Sequence, residues 1–336
     1  MRNRIANSSH GPRSEDTDAP DRWKGAPVVE KTGVIAEIMP LLPEFDTRML
    51  SISGEGLSVL NPSYRVVYRK PTADADLPLP VGVVSRKYRL VQHAKVLEVA
   101  VNALNKAGVN TDDLQVQLRI TENGERMSLG LLFPDDQRYS VSLNGNGDTM
   151  RLRLQCLNSV DGSVRFMAFL GWYRFVCSNG MMVGITKLDI RQRHYIGLDI
   201  DRVGAVLSHG LPLLEREKKL YVRWRNAGVE ADGARGWIDG PLRKRWGVKL
   251  AARTFHIVRT GSDADFALPF ERGKPSDKTM IATKSVPGLH GPAANAFDVS
   301  QALSWLAKER RNVQEQVELM MEIPEMMEEL MKAKVR

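Results

Sequence analysis

Two periodicities divide the chain, and the change between them falls near residue 199. From Phe45 to Arg69, short apolar pieces (Met49 to Ile52, Leu57 to Leu60, Tyr64 to Tyr68) are separated by Gly54, Gly56, Asn61 and Pro62, which reads as strands and turns. Pro71 to Pro80 is a loop by composition, and Val81 to Val91 reads as one or two further strands. Val96, Leu97, Val99, Ala100, Ala103 and Leu104 then follow helical spacing and predict a helix over Gln92 to Ala107, stopped at Gly108. Leu114 to Phe133 alternates again: Leu114, Val116, Leu118 and Ile120 are answered by Met127, Leu129 and Leu131 across Glu122-Asn123-Gly124. An Asn-Gly pair between alternating runs predicts a tight hairpin. Tyr139 to Leu143 and Met150 to Leu157 form a further pair across Asn144 to Asp148. That Gly-rich tract lacks the Lys-Ser/Thr ending of a phosphate loop, so it reads as a turn.

From Asp199 the pattern becomes helical. Val203, Val206, Leu207, Leu211, Leu214, Leu220, Tyr221 and Trp224 fall at three- and four-residue steps, with Pro212 as a kink or a junction. A second helix is expected over Ala234 to Trp246, a long loop or mobile arm over Thr260 to Pro292, and helix from Ala296 onward, broken near Pro324. Val313, Val317, Met320, Met327 and Met331 make a heptad-like stripe, suited to packing on its own domain or to a homo-oligomer through the C-terminal helices. The expected fold is α+β: an antiparallel sheet with a packed helix, followed by a mainly helical basic region and C-terminal helices. The expected division is a disordered tail over 1–30, a sheet domain over 31–198, a basic helical region over 199–259, the arm over 260–294 and the closing helices over 295–336.

With 43% hydrophobic and 26% charged residues, the composition is that of an ordinary globular protein of one large or two small domains. Met1 to Gly25 is polar, which reads as a disordered tail rather than a secretory signal or an anchor. The longest apolar run, Phe166 to Cys177, is interrupted by Arg174 and falls short of the roughly 20 residues that span a bilayer, so no membrane partner is expected. Two cysteines give no disulfide framework, which fits a cytoplasmic setting.

Chemistry concentrates in Met150 to Gly184, which holds both cysteines and the turn Asn158-Ser159-Val160-Asp161-Gly162-Ser163. Asn, Ser and Asp side chains suit the turn's backbone and Gly162 its positive φ, so a hairpin accounts for the segment. The alternative is a metal or phosphate ester on Asp161, with Asn158 and Ser159 converging; a magnesium site would need a second carboxylate. Cys156 and Cys177 read as small buried hydrophobes, with a Cys177–His194 nucleophile pair as the alternative. No Cys-x-x-Cys or His-x-x-x-His pair suggests zinc. No catalytic residue, metal site or cofactor is assigned.

The same segment, with Val83 to His93 and Asn295 to Ala307, resembles a family of phage- and plasmid-borne proteins known only as a domain of unknown function (DUF932 type). The resemblance covers roughly residues 45–310 and departs from the family at Val160, where His is common, and at Gly180, where Thr is frequent. It implies a mobile-element origin and the cytoplasm of a bacterial host. It implies no reaction.

The formal net charge is +8 and the isoelectric point is near 9.5. Residues 216–259 carry twelve Lys and Arg against four acidic residues, so this one stretch accounts for the whole excess. Tyr221, Trp224, Trp237, Trp246 and Phe255 are interleaved with the charges. Single-stranded nucleic acid is gripped by cations along its backbone and by rings beneath its bases. The expected function is therefore a non-catalytic accessory protein of a phage or plasmid that binds single-stranded DNA, in recombination or annealing. Its phosphate contacts would be Lys218, Lys219, Arg223, Arg225, Arg243, Lys244, Arg245 and Lys249, with Tyr221 and Trp224 stacking on bases. A solvated basic face with buried aromatics is the alternative. Lys187, Arg191, Arg193, His194 and Arg202 form a second basic stretch. Two other classes stay open: a virion or assembly protein, and a metal-dependent enzyme on nucleic acid using Asp161.

Overall fold

The computed structural model describes residues 22–23, 26–54, 57–72, 76–112, 114–142, 149–174, 181–266, 280–310 and 313–333. The expectations for the chain before Arg22, for the Asn144 to Asp148 turn, and for Cys177 with the Ser178-Asn179-Gly180 terminus lie outside these residues. The expected tail is too long, because its last residues belong to the sheet. Strand β1 (Arg22–Trp23) pairs with β2 (Ala26–Gly33), on which Val28 packs against the core. After one turn of helix, α1 (Ile35–Ile38), the chain makes three strands that form a sheet of their own: β3 (Phe45–Gly54), β4 (Leu57–Arg69) and β5 (Leu79–Ser85).

Helix α2 (His93–Lys106) buries the apolar positions read from its spacing and ends before Gly108. Strands β6 (Gln115–Thr121), β7 (Arg126–Leu132), β8 (Ser140–Ser142), β9 (Thr149–Ser159), β10 (Phe166–Arg174) and β11 (Met181–Gln192) follow. With β1 and β2 they form one eight-stranded antiparallel sheet in the order β1-β2-β6-β7-β9-β10-β11, with β8 on β9. The β6–β7 hairpin turns at Gly124, whose φ of 82° favours glycine, and a Cβ there would lie 2.5 Å from Pro43. All nine residues of β10 are buried, as in a strand covered on both faces.

The helical half opens as the sequence indicated. Helix α3 (Val203–Gly210) passes through a tight turn at Pro212 into α4 (Leu214–Asn226). The helix expected over Ala234 to Trp246 is present: α5 (Ala231–Trp237) runs through a wider, π-helical turn (Ile238–Leu242) into the start of α6 (Arg243–Thr260). Pro241 widens that turn by removing a helical donor, and the backbone leaves helical geometry only at Gly247, whose φ of 83° kinks α6 just after Trp246. Part of the expected arm is ordered: β12 (Ser262–Phe266) pairs with β13 (Met280–Ser285). Here the buried Asp263 accepts from Arg253 and from the Trp305 indole. Helices α7 (Ala296–Lys308) and α8 (Val313–Ala333) close the chain, and α8 runs through Pro324 without ending. The buried Ile323, Met326 and Met327 around Pro324 hold that turn in place.

One hydrophobic core joins the halves. Leu97, Trp172, Val206, Trp224, Phe297 and Ile323 belong to the same cluster, so the change of periodicity near residue 199 marks a change of element type within one packed body. Helix α8 packs on α7 and β11, which places its stripe (Val317, Met320, Met327) inside the chain's own core.

Candidate nucleic-acid interface

A groove of about 560 Å³ lies between α2 and the α3–α4 junction. Helical spacing builds its α2 wall: Lys95, Val99, Asn102 and Lys106 succeed one another at four- and three-residue steps and so share a face. Val99, Ala103, Leu207, Leu211 and Pro212 give it an apolar floor, and Lys95, Lys106 and Arg138 give it a cationic rim against the single carboxylate of Asp201. All three rim cations are exposed, and Lys95 also pairs with Glu98 at 3.1 Å. Arg138 lies 5.2 Å from the centre of the Tyr139 ring, in cation–π contact. An apolar floor below exposed cations suits a base carried on an anionic backbone.

The sequence-derived contact residues do not share one setting. Lys218 is near the groove: its ammonium donates to the Gln137 carbonyl at 2.6 Å and to Glu215 at 2.8 Å, tying α4 to the loop that carries Arg138. Lys219, Arg243 and Lys244 are exposed. Arg223, Arg225 and Arg245 are engaged in ion pairs with Glu328 (3.6 Å), Asp298 (3.7 Å), and Glu325 and Glu329 (3.4 and 2.6 Å). Lys249 is half-buried. The stacking assignment of Tyr221 and Trp224 is overturned. Both are buried, 3% and 0% exposed, because Leu214, Tyr221 and Trp224 share the inward face of α4. Tyr221 sits edge-on to Trp172, Trp224 and Phe297. Trp237 and Trp246 are buried as well.

Two cations of the basic segment, Arg223 and Arg245, are answered by α8, whose sequence holds six glutamates and one lysine. Beyond the Arg223 and Arg245 pairs, Glu322 accepts from the Trp246 indole at 2.9 Å and Glu318 lies 4.0 Å from Arg191. The run of glutamates is visible in the sequence, but its register against α4 and α6 is not. Lys95, Lys106 and Arg138 escaped the reading because only the fold assembles them; the polar side of α2 was the one available signal.

Two of the segments behind the family resemblance, Val83 to His93 and the turn after β9, meet at the root of the β3–β4 arm. Phe45, Val67, Val84 and Val160 make a small separate core beside Tyr88, so Val160 is an apolar plug. Gln92 holds both backbone groups of Phe45, at 3.0 and 2.8 Å, and the Tyr88 hydroxyl donates to the Ser159 carbonyl at 2.8 Å. His93 bonds the Gly124 carbonyl through Nε2 at 2.7 Å, so that nitrogen donates and Nδ1 accepts from the Asn158 amide at 2.9 Å. Burial pushes His93 down to about 4, and His194, stacked on Tyr88, to about 4 for the same reason. Asp161 is held by Arg126 at 3.1 Å and accepts from the Ser163 amide at 2.9 Å, and Gly162 has a φ of 77°. Burial raises the Cys156 thiol to about 12, which suits a core residue and not a nucleophile. Among the described residues, no three His, Cys, Asp or Glu side chains gather as a metal-ligand set.

Comparison with known proteins places the groove, together with Val84, Tyr88, Gln92 and Val160 of the arm root, within one matched region. A family model described as a domain of unknown function (DUF932) matches residues 80–264, more than half of the chain. No curated protein and no solved structure matches it.

Proposed function

Because the chain belongs to the family described as a domain of unknown function (DUF932), whose description carries no activity, we propose a function from the groove: the protein binds single-stranded nucleic acid, DNA by preference, without acting on it chemically. It serves as an accessory protein of a phage or plasmid, in recombination or annealing. The observation that carries this reading is the apolar floor between α2 and α3, rimmed by Lys95, Lys106 and Arg138. The proposal moves the contacts from the inward face of α4 to this groove, with Lys218 and Lys219 continuing its rim and Arg243 and Lys244 as outlying cations. The polar groups that a catalytic reading would use, Asp161, Asn158 and His93, are each committed to holding the arm root.

Fluorescence anisotropy with a labelled single strand, a duplex competitor and a salt series tests it. Each phosphate contact contributes about −0.7 to the slope of log K against log salt for single strands, so three rim cations give a slope of about −2. The double variant Lys106→Glu/Arg138→Glu is expected to weaken binding about tenfold or more and to flatten the slope, with unchanged thermal stability. Absence of binding at low salt, or binding indifferent to salt, would overturn the proposal.

One observation favours a second reading, a virion or assembly protein. Beyond Tyr64 the arm is two-stranded, and register places Ile52 opposite Val59 and Gly54 opposite Leu57. Opposed residues share a face, so Ile52, Leu57 and Val59 make one apolar face, exposed at 74%, 72% and 67%. Light scattering that shows a large assembly free of nucleic acid would favour this reading over the first.

A further inference from the structure

The groove between α2 and α3 holds a second chemistry below its rim of cations. Three uncharged or anionic polar groups line it: the Asn102 amide on α2, the Asp201 carboxylate in the turn that leads into α3, and the Ser208 hydroxyl on α3, all exposed. Ser208 donates its proton to the Ala205 carbonyl at 3.2 Å, so it offers the groove only lone pairs. A carboxylate also only accepts. Apart from the Asn102 NH2 group, the polar interior of the groove therefore asks for donors.

Asp201 is fixed by its backbone and free at its side chain. Its N–H donates to the Asp199 carboxylate at 3.0 Å and its carbonyl accepts from Val203, while the Asp199 amide donates to Gln192 at 3.0 Å and ties the turn to the end of β11. Among the described residues, no cation pairs with the Asp201 carboxylate and no group bonds the Asn102 amide. Gly204, three residues beyond Asp201, lines the same wall, and a Cβ there would meet nothing within 4 Å. Alanine would fit and would favour the helix more, so packing within the chain does not call for glycine, and the wall beside the carboxylate stays open to a ring. None of the described lining residues is aromatic. The sequence-tolerant stacking of other single-strand grooves is thus missing, which leaves hydrogen bonds to base edges as the means of discrimination.

Resting on the reading of this groove as a single-strand site, we propose that it selects guanine, with Asp201 as the residue that determines the choice. The Watson–Crick edge of guanine carries O6, N1–H and the N2 amino group in a row. Its two adjacent donors match the two oxygens of one carboxylate, and the Asn102 NH2 group supplies the donor for O6. Adenine and cytosine set an acceptor beside their amino group, and thymine offers one N–H between two carbonyls that a carboxylate repels. Lys95, Lys106 and Arg138 hold the phosphates of the same strand.

Fluorescence anisotropy of the full chain with a short oligothymidine, and with the same strand carrying one central guanine, tests the proposal. The guanine strand is expected to bind about tenfold tighter, the discrimination of one good bidentate pair. Hypoxanthine in place of that guanine lacks the N2 amino group and should lose most of the gain. In Asp201→Asn the ratio of the two affinities should fall to about one, because an amide turns one of the two acceptors into a donor; that ratio is a readout that a loss of fold would not move selectively. Lys106→Ala should weaken both strands and keep their ratio. Guanosine monophosphate as competitor separates the sources of the base: displacement only in large excess over the strand supports a base read within a strand, and displacement at equal concentration overturns it. Equal binding of the two strands, or a guanine preference that survives in Asp201→Asn, would overturn this inference and leave strand binding standing. Absence of binding to either strand at low salt would overturn the function it rests on, and the inference with it.

Discussion

The basic helices and the β3–β4 arm have exchanged the places their compositions assign them. Helices α4 and α6 carry the charge of the chain, yet Tyr221, Trp224 and Trp246 are in the core and two of their cations, Arg223 and Arg245, face the glutamates of α8. The arm is an ordinary alternation of apolar and polar residues, yet Ile52, Leu57 and Val59 at its outer end are left to solvent. A helix with a 3.6-residue period separates its two chemistries onto opposite faces, so richness in charge and burial of rings coexist. A two-stranded ribbon that projects from its sheet has no layer to cover it, so apolar residues remain exposed.

The largest expected effect that sharpens this contrast is in the core of α4. Trp224→Ala should cost about 3–5 kcal/mol in denaturant unfolding, the range for deleting a fully buried ring. A folded, stable variant that loses DNA binding would break the comparison by returning Trp224 to the surface.

Acidity separates the regions with opposite signs. His93 and His194, at the arm root, titrate in the fold at about 4, below the ordinary 6.5. The stability tied to their neutral forms is complete above pH 6.5 and is lost as pH falls through 4, up to about 3 kcal/mol for each. Glu217 on α4 is raised to about 7 by burial, against a smaller opposing pull from its hydrogen bond with the Trp172 indole at 2.8 Å. Its contribution is complete below about pH 4.5 and is lost as pH rises through 7. Glu217→Gln, which keeps an acceptor for Trp172, should therefore gain up to about 3 kcal/mol over the parent at pH 8 and little at pH 4. Unfolding curves at the two pH values measure it, and an equal change at both would remove the assignment.

The smallest expected effect is on the arm. Ile52→Asp should change stability by less than about 0.5 kcal/mol, as for an exposed position, while lowering any self-association seen by light scattering. A large loss of stability would show that the arm is covered in solution.

Much of the scaffold was legible in order. The β6–β7 hairpin at Asn123-Gly124, α2 with its stop at Gly108, and the α3–α4 junction at Pro212 are all local signals, and local signals survive into the fold. Signals that depend on a distant partner did not. Pro324 reads as a break, yet the packed neighbours Ile323, Met326 and Met327 carry α8 through it. Tyr221 and Trp224 read as stacking rings, and the helical step that places them beside Leu214 on one face was available to warn against it. The groove rim was available only in part, since Lys95 and Lys106 lie on the polar side of α2 while Arg138 comes from a separate loop.

By itself the sequence determined the α+β class, the hairpins and helices with their own turn and stop residues, the family, and the amount of positive charge. Only the tertiary structure decided which of those charges are spent inside the molecule, which rings are core, and where a concave cationic surface remains. Backbone preferences act within a few residues of one another. Burial and charge pairing are settled between segments such as α4 and α8, about a hundred residues apart, whose register no local pattern encodes.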